Sequence, residues 1–324
     1  MKKILFLTTL FSLMLTGCFS DNSNKIHTLL EEEITLVAPS SIGGSWDLTA
    51  RAMQQTLNQQ GIIKQPVSVT NIVGEGGKTG WKYIKEAEQG NVLAMNSSLI
   101  LTSSLLGESQ LTYQDFTPLA TLAVEWVAVI VSKDSNINSA NELITSLRNS
   151  VDSVNVGVSP KLGNDDQISF VLASQHSGIQ PQGLDFFVYE NSNLVVNALM
   201  SNEVDVATMP LSEAKKFYDA GTVKILAISS PERLEEMPEI PTWTEQGIDL
   251  VFQHWRGVMG PPTMTEAEIQ YWDDVFYKMV QTDQWNQFLK DHNWSSLYKN
   301  SSETALFLEE QSEFYEKLML YGME

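Results

Sequence analysis

Short β-branched runs alternate with helix-patterned segments along most of this chain, and that alternation limits its fold more than any other feature. Residues 34–38 read ITLVA, a strand that Pro39 stops. Ser40 to Ser45 is a loop, after which Trp46, Ala50, Met53 and Leu57 recur at helical spacing until Gly61. A second β-rich run over 67–73 leads into Gly74, Gly76, Gly77 and Gly80 and a helix over 81–87. A third, over 92–96, ends in the polar turn Ser97-Ser98. Such a succession implies a parallel or mixed sheet with helices on both faces. The pattern resumes with strands over 154–158, 186–189, 204–209 and 224–229. Two longer runs, 117–131 and 249–259, are suited to cross between the two sets.

The expected architecture is therefore α/β, two-lobed and hinged on two crossing strands. Residues 33–131 with 252–324 make the first lobe and 132–251 the second. Ser139 with Glu142, and Thr265 with Glu268, have capping-box spacing and mark helix starts. The segment after Pro262 reads as helices, with Phe307, Phe314, Leu318 and Tyr321 on one face.

No disulfide can staple this arrangement, because Cys18 is the only cysteine. The fold must rest on packing. Cys18 follows Lys2, Lys3 and an apolar run over 4–15, too short to span a bilayer, which takes about 20 residues. That run has the length of a signal-peptide core. It ends in Leu15-Thr16-Gly17-Cys18, the order of a bacterial lipoprotein signal, in which the cysteine is acylated and the chain is cut before it. Residues 1–17 are thus expected to be a leader and 18–32 a polar tether from the lipid bilayer, with the protein held extracytoplasmically through acylated Cys18. The remainder exceeds one comfortable core, so two domains are the default. The chain carries 20 Lys and Arg against 40 Asp and Glu, and losing Lys2 and Lys3 makes it more acidic still. Nucleic acid is excluded as a partner on that ground.

In open α/β sheets ligands bind beyond the carboxyl ends of the strands. In the first lobe those positions hold Ser40, Ser41, Gly43, Gly44, Ser45, Trp46 and Asp47, then Gly76 and Gly77, then Ser97 and Ser98. In the second they hold Ser159, Asn164 and Asp165, then Tyr189 and Asn191. Asp205, in the strand over 204–209, completes the candidate set. Glycine lets a backbone turn its N–H groups toward a ligand, and a helix starting just afterwards adds partial positive charge. Together they predict an anion site that needs no lysine or arginine. Asp47 has two open readings, stabiliser of a helix start or ligand contact. Neither glycine loop fits a phosphate loop or a dinucleotide fingerprint.

An enzyme is not expected, and neither a cofactor nor a metal is called for. His27, His176, His254 and His292 form no catalytic spacing, and the chain has no H-E-x-x-H or G-x-S-x-G. His254 reads as structural. Arg256 either joins the lobes at the hinge or reaches the cleft, the former being preferred.

These loops resemble a known family. Residues 37–51 (VAPSSIGGSWDLTAR) and 71–80 (NIVGEGGKTG) are similar to the two glycine loops of the tripartite tricarboxylate transporter receptors, the TctC/Bug family. Residues 225–233 (ILAISSPER), 238–247 (PEIPTWTEQG) and 255–262 (WRGVMGPP) match further stretches in order. The resemblance implies a Venus-flytrap fold of the type II-like periplasmic binding proteins. It also implies a small carboxylate, di- or tricarboxylate in type, in the interlobe cleft. The implied partners are the integral-membrane subunits of a tripartite tricarboxylate transporter, and the implied state is a monomer. A receptor that signals instead of feeding transport stays open. Val73 replaces the family's usual proline, and Glu190 stands where many members have lysine. That acid either disfavours a multiply charged anion or pairs with a cationic group on the ligand.

Overall fold

The computed structural model describes residues 31–87 and 90–322. The expected leader, Cys18 and nearly all of the tether lie outside the described residues. Two mixed sheets organise the rest. The first carries six strands in the order β11-β4-β10-β3-β1-β2 and the second five in the order β7-β6-β8-β5-β9. In the first sheet β1 (Ile34–Ala38) pairs parallel with β2 (Val67–Asn71) and β3 (Val92–Asn96). The antiparallel part comes from β4 (Thr117–Glu125), β10 (His254–Gly260) and β11 (Ser295–Lys299). In the second, β6 (Asn155–Val158) lies parallel to β7 (Asp185–Val188) and β8 (Val206–Pro210). There β5 (Val127–Ser132) runs antiparallel to β8 and β9 (Val223–Ile228).

Strands covered on both faces need continuous apolar runs, and β4 and β5 supply them. The first helix, α1 (Ser45–Gln59), buries the expected stripe of Trp46, Ala50, Met53 and Leu57. It ends just before Gly61, whose φ of +60° suits glycine. Then come α2 (Lys78–Lys85), α3 (Leu99–Leu105), α4 (Ala140–Asn149), α5 (Asp165–His176), α6 (Ser192–Met200) and α7 (Leu211–Asp219). The C-terminal segment adds α8 (Glu266–Val280), α9 (Asp283–Asp291) and α10 (Ser301–Gly322). The Thr265–Glu268 capping box closes in both directions. The other closes halfway: Ser139 accepts from the Glu142 N–H, but the Glu142 carboxylate takes the Asn138 N–H.

Several expectations shift. The run over 117–131 breaks at Trp126, and its two halves belong to different sheets. The change of sheet therefore comes before the expected boundary at Val131. Residues 249–253 form no strand, so the return begins only at His254. Residues 295–299 are a strand, not a helix, because they add an edge to β4. On α10, Phe307 and Leu318 are buried as expected, while Phe314 is exposed and Tyr315 takes the inward position. The side chain of Tyr321 lies outside the described residues.

The two crossings are fastened to one side chain. The Ser229 hydroxyl accepts from the Val127 N–H at 2.9 Å and donates to the Phe252 carbonyl at 2.8 Å. The Ser229 backbone adds bonds to the same two residues. Ser229 is fully buried.

Candidate functional site

A cavity of about 250 Å³ lies where the carboxyl ends of strands from both sheets converge. The first unit contributes Ser40, Ser45 and Trp46 after β1, and Ser97, Ser98 and Leu99 after β3. The second contributes Ser159, Pro160, Asn164, Asp165 and Asp166 after β6 and Glu190, Asn191 and Ser192 after β7. Pro210 ends β8 and Glu213 follows it, and β10 sends in His254 and Arg256. Of the candidate residues, Ser40, Ser45, Trp46, Ser97, Ser98, Ser159, Asn164, Asp165 and Asn191 line this cavity.

The glycine loops contribute differently from the expectation. The Gly43 N–H is held by Asp47 at 2.9 Å, the Gly44 N–H by the Ser41 carbonyl, and the Gly77 N–H by the Gly74 carbonyl. These amides serve their own turns. Gly43 and Gly77 have φ values of +86° and +104°, so the turns require glycine. Gly77 also makes room: a Cβ there would lie 3.0 Å from the rings of Trp46 and Trp81. Trp46 packs edge-on against Trp81 at 5.5 Å and walls the cavity. Ser41, Gly43, Gly44, Gly76 and Gly77 stand outside the lining.

Asp47 also stays outside it, and its two open readings resolve into loop architecture. It accepts from Gly43, from the Asn71 amide at 2.9 Å and from Arg51 at 2.9 Å. Burial works to raise its pKa, but those bonds outweigh it and hold the carboxyl below its ordinary value. Tyr189 lies against Glu203, and burial together with that carboxylate pushes its phenol up to about 12. Asp205 is corrected outright. It accepts the Asn155 N–H at the amino ends of β6 and β8, the opposite end from the cavity.

Asn164 and Asn191 have two tasks. Their side chains cap α5 and α6, accepting from the Gln167 and Leu194 N–H groups, while also lining the cavity. The Asn164 amide further donates to the Asp166 carboxylate at 3.2 Å.

At the base, Glu125 is fully buried and joins three elements. It accepts from Arg256 on β10, from Ser45 at 3.2 Å and from Ser212 on α7. Arg256, 2% exposed, also lies over the Trp294 ring at 5.5 Å. It therefore both ties the units and reaches the cavity. His254 has its Nδ1 3.4 Å from an Arg256 nitrogen and its Nε2 3.2 Å from Asp165. Burial and the nearby Arg256 charge hold its pKa well below the ordinary value. A neutral ring that accepts from Arg256 at Nδ1 carries its proton at Nε2, facing Asp165.

Four acidic groups face the same space. Burial raises Asp165 to about 6, although Ser98, Arg256 and the Tyr315 hydroxyl 3.1 Å away work the other way. Asp166 is pushed well above its ordinary value by burial and by the charges of Glu213 and Asp165. Glu213 is raised by burial against a hydrogen bond from Ser192. Glu190 sits at the exposed rim. Sequence reasoning passed over Asp166, Ser192, Pro210 and Glu213. The end of β8 runs straight from Pro210 into α7, with no glycine or serine loop to mark it. Only the strand-end rule, applied without regard to composition, would have found Glu213. Among the described residues no cluster of three or more His, Cys, Asp or Glu can hold a metal ion.

Two α/β units, two crossings and a cavity between them define a two-lobed protein of the periplasmic-binding class. The model of the family "Tripartite tricarboxylate transporter family receptor" matches residues 49–320. The chain belongs to this family, TctC, and is a solute-binding receptor. The protein BugT of Bordetella pertussis is 27% identical over 236 residues, 70% of each chain. MatC of Rhodopseudomonas palustris, solved with bound malate, is 20% identical with a TM-score of 0.73, covering 89% of this chain and 99% of its own. Rpa4515 of R. palustris, solved with adipate, is 21% identical with a TM-score of 0.78, covering 90% and 97%. At these identities the solved structures show the fold alone. Among the described residues no helix is long and apolar enough to cross a membrane.

Proposed function

We propose that this receptor captures a small di- or tricarboxylate in the interlobe cavity and delivers it to a tripartite tricarboxylate transporter. It works outside the cytoplasm, anchored by acylated Cys18, as a monomer and without catalysis. The observation that carries the reading is the cavity itself: it is built from strand ends of both units and has Arg256 at its base, in a TctC-family chain. Relatives of the same fold hold malate and adipate. A ligand touching both walls closes the lobes only as far as it prefers the closed state, and about 5.5 kcal/mol of preference takes them from mostly open to mostly closed. A few charge-assisted hydrogen bonds, at roughly 1.5–3 kcal/mol each, are sufficient.

The test is a thermal-shift titration with malate, adipate and citrate. The expected result is a melting temperature that climbs with ligand concentration for at least one of them. A flat response to all three, beside a clear one to a neutral sugar, defeats the carboxylate assignment. For the anchor, Cys18→Ser should move the protein from the membrane to the soluble fraction.

A further inference from the structure

One segment of the second unit is gripped by the first through side chains that stand outside the cavity. Residues 159–166, the loop after β6 and the start of α5, line the cavity with Ser159, Pro160, Asn164, Asp165 and Asp166. Three members of the segment also meet the first unit. Asp165, 2% exposed, accepts from the Tyr315 hydroxyl at 3.1 Å and stands 3.2 Å from His254 Nε2, with the Ser98 hydroxyl set against the same carboxylate. Tyr315 is fully buried on α10, which packs on β4 and α3. Lys161 donates to the Ser103 hydroxyl of α3 at 3.2 Å and pairs with Glu108 just past that helix. Between them Gly163 abuts Leu106 so closely that an added Cβ would collide with it. Neither Tyr315 nor Lys161 lines the cavity.

We propose that Tyr315 and Lys161 set the strength of solute capture from outside the cavity, by fastening residues 159–166 to the first unit so that the closed cleft is populated before a solute arrives. This rests on the reading of capture between the lobes, whatever the solute. Tyr315 is the inner tie, a hydroxyl bound to a buried carboxylate. Lys161 is the outer tie, a partly exposed ion pair, which is the weaker kind. Both are positioning residues, because they hold the wall that a solute meets and do not meet it themselves. Apparent affinity for the closed cleft scales with the fraction of molecules already closed. Loosening a tie therefore lowers every affinity by one common factor, whereas altering a wall residue lowers each by its own.

Tyr315→Phe keeps the ring and removes the hydroxyl. Lys161→Met keeps much of the stem, removes the charge and, at a partly exposed position, leaves folding intact. Small-angle X-ray scattering of the protein without added solute should give each variant a larger radius of gyration than the wild type. Calorimetric titration with malate, adipate and citrate should then show weaker binding of every acid that the wild type takes up. The loss should be roughly three- to tenfold for Tyr315→Phe and smaller for Lys161→Met, and the same for each acid. Unchanged scattering in both variants overturns the inference. Losses that differ severalfold from one acid to another overturn it too, because they would mean direct contact with the solute. Should Tyr315→Phe fail to fold, Lys161→Met decides alone. If all three acids leave the wild type silent while the scattering shifts as expected, the carboxylate reading fails and the ties stand.

Discussion

The two walls of the cavity share one construction and differ in charge. Each is a set of parallel strand ends running through short loops into helix starts. In the first unit those ends carry Ser40, Ser45, Ser97 and Ser98; in the second they carry Asp165, Asp166, Glu190 and Glu213. The backbone scaffold therefore makes a place for a ligand without choosing its charge. Choice comes from a few side chains, and among the described residues the one strong positive charge lining the cavity, Arg256, is already shared with Glu125.

Removing that shared charge should have the largest effect. Arg256→Met leaves Glu125 buried without its cation, and breaking a buried pair this way costs about 3–5 kcal/mol. Urea melts should show that loss. Glu125→Met in the same chain should restore most of it, because the uncompensated charge goes too. If the single and double variants are equally unstable, the pair is not the tie between the units.

A smaller effect separates the walls by pH. Asp165 binds its proton more tightly folded than unfolded. Its stabilising share is complete below about 3.8, fades as pH rises, and is gone above about 6. Two pKa units correspond to about 3 kcal/mol as an upper bound. Asp165→Asn should flatten the stability profile between pH 4 and 6, whereas Asp47→Asn, whose carboxyl is held low, should not. Identical profiles for wild type and Asp165→Asn would contradict the buried environment described for it.

The smallest expected effect concerns the neutral wall. Gly77→Ala adds a Cβ at a positive φ and 3.0 Å from Trp46. A loss of about 2 kcal/mol is expected, with a change in Trp46 fluorescence. An unaltered spectrum would mean that Gly77 does not set the position of the tryptophan wall.

Strand and helix order was legible because apolar runs and helical spacing are local properties. The crossing at Trp126 was less so, since one unbroken apolar stretch says nothing of which residue leaves one sheet for the other. The strand β11 was missed because its edge position lets half-exposed residues such as Ser295 and Lys299 pair with β4. In the site, the serines and capping asparagines were visible from strand ends. The roles of the glycine amides were not, because the acceptors that hold them, such as the Asp47 side chain, are set by loop conformation. The acids Asp166 and Glu213 stand in the first turns of α5 and α7, and only convergence in space gives them a common cavity.

The fastening at Ser229 fixes where motion is smallest. Val127 is two residues from Glu125, and Phe252 is four from Arg256. A lobe rotating about that pivot would carry the base of the cavity through a short arc and Glu190, at the exposed rim, through a long one. Arg256, close to that pivot, would shift little if the lobes opened or shut. Discrimination that depends on shutting falls to the outlying rim, and evolution could retune it there without disturbing the axle.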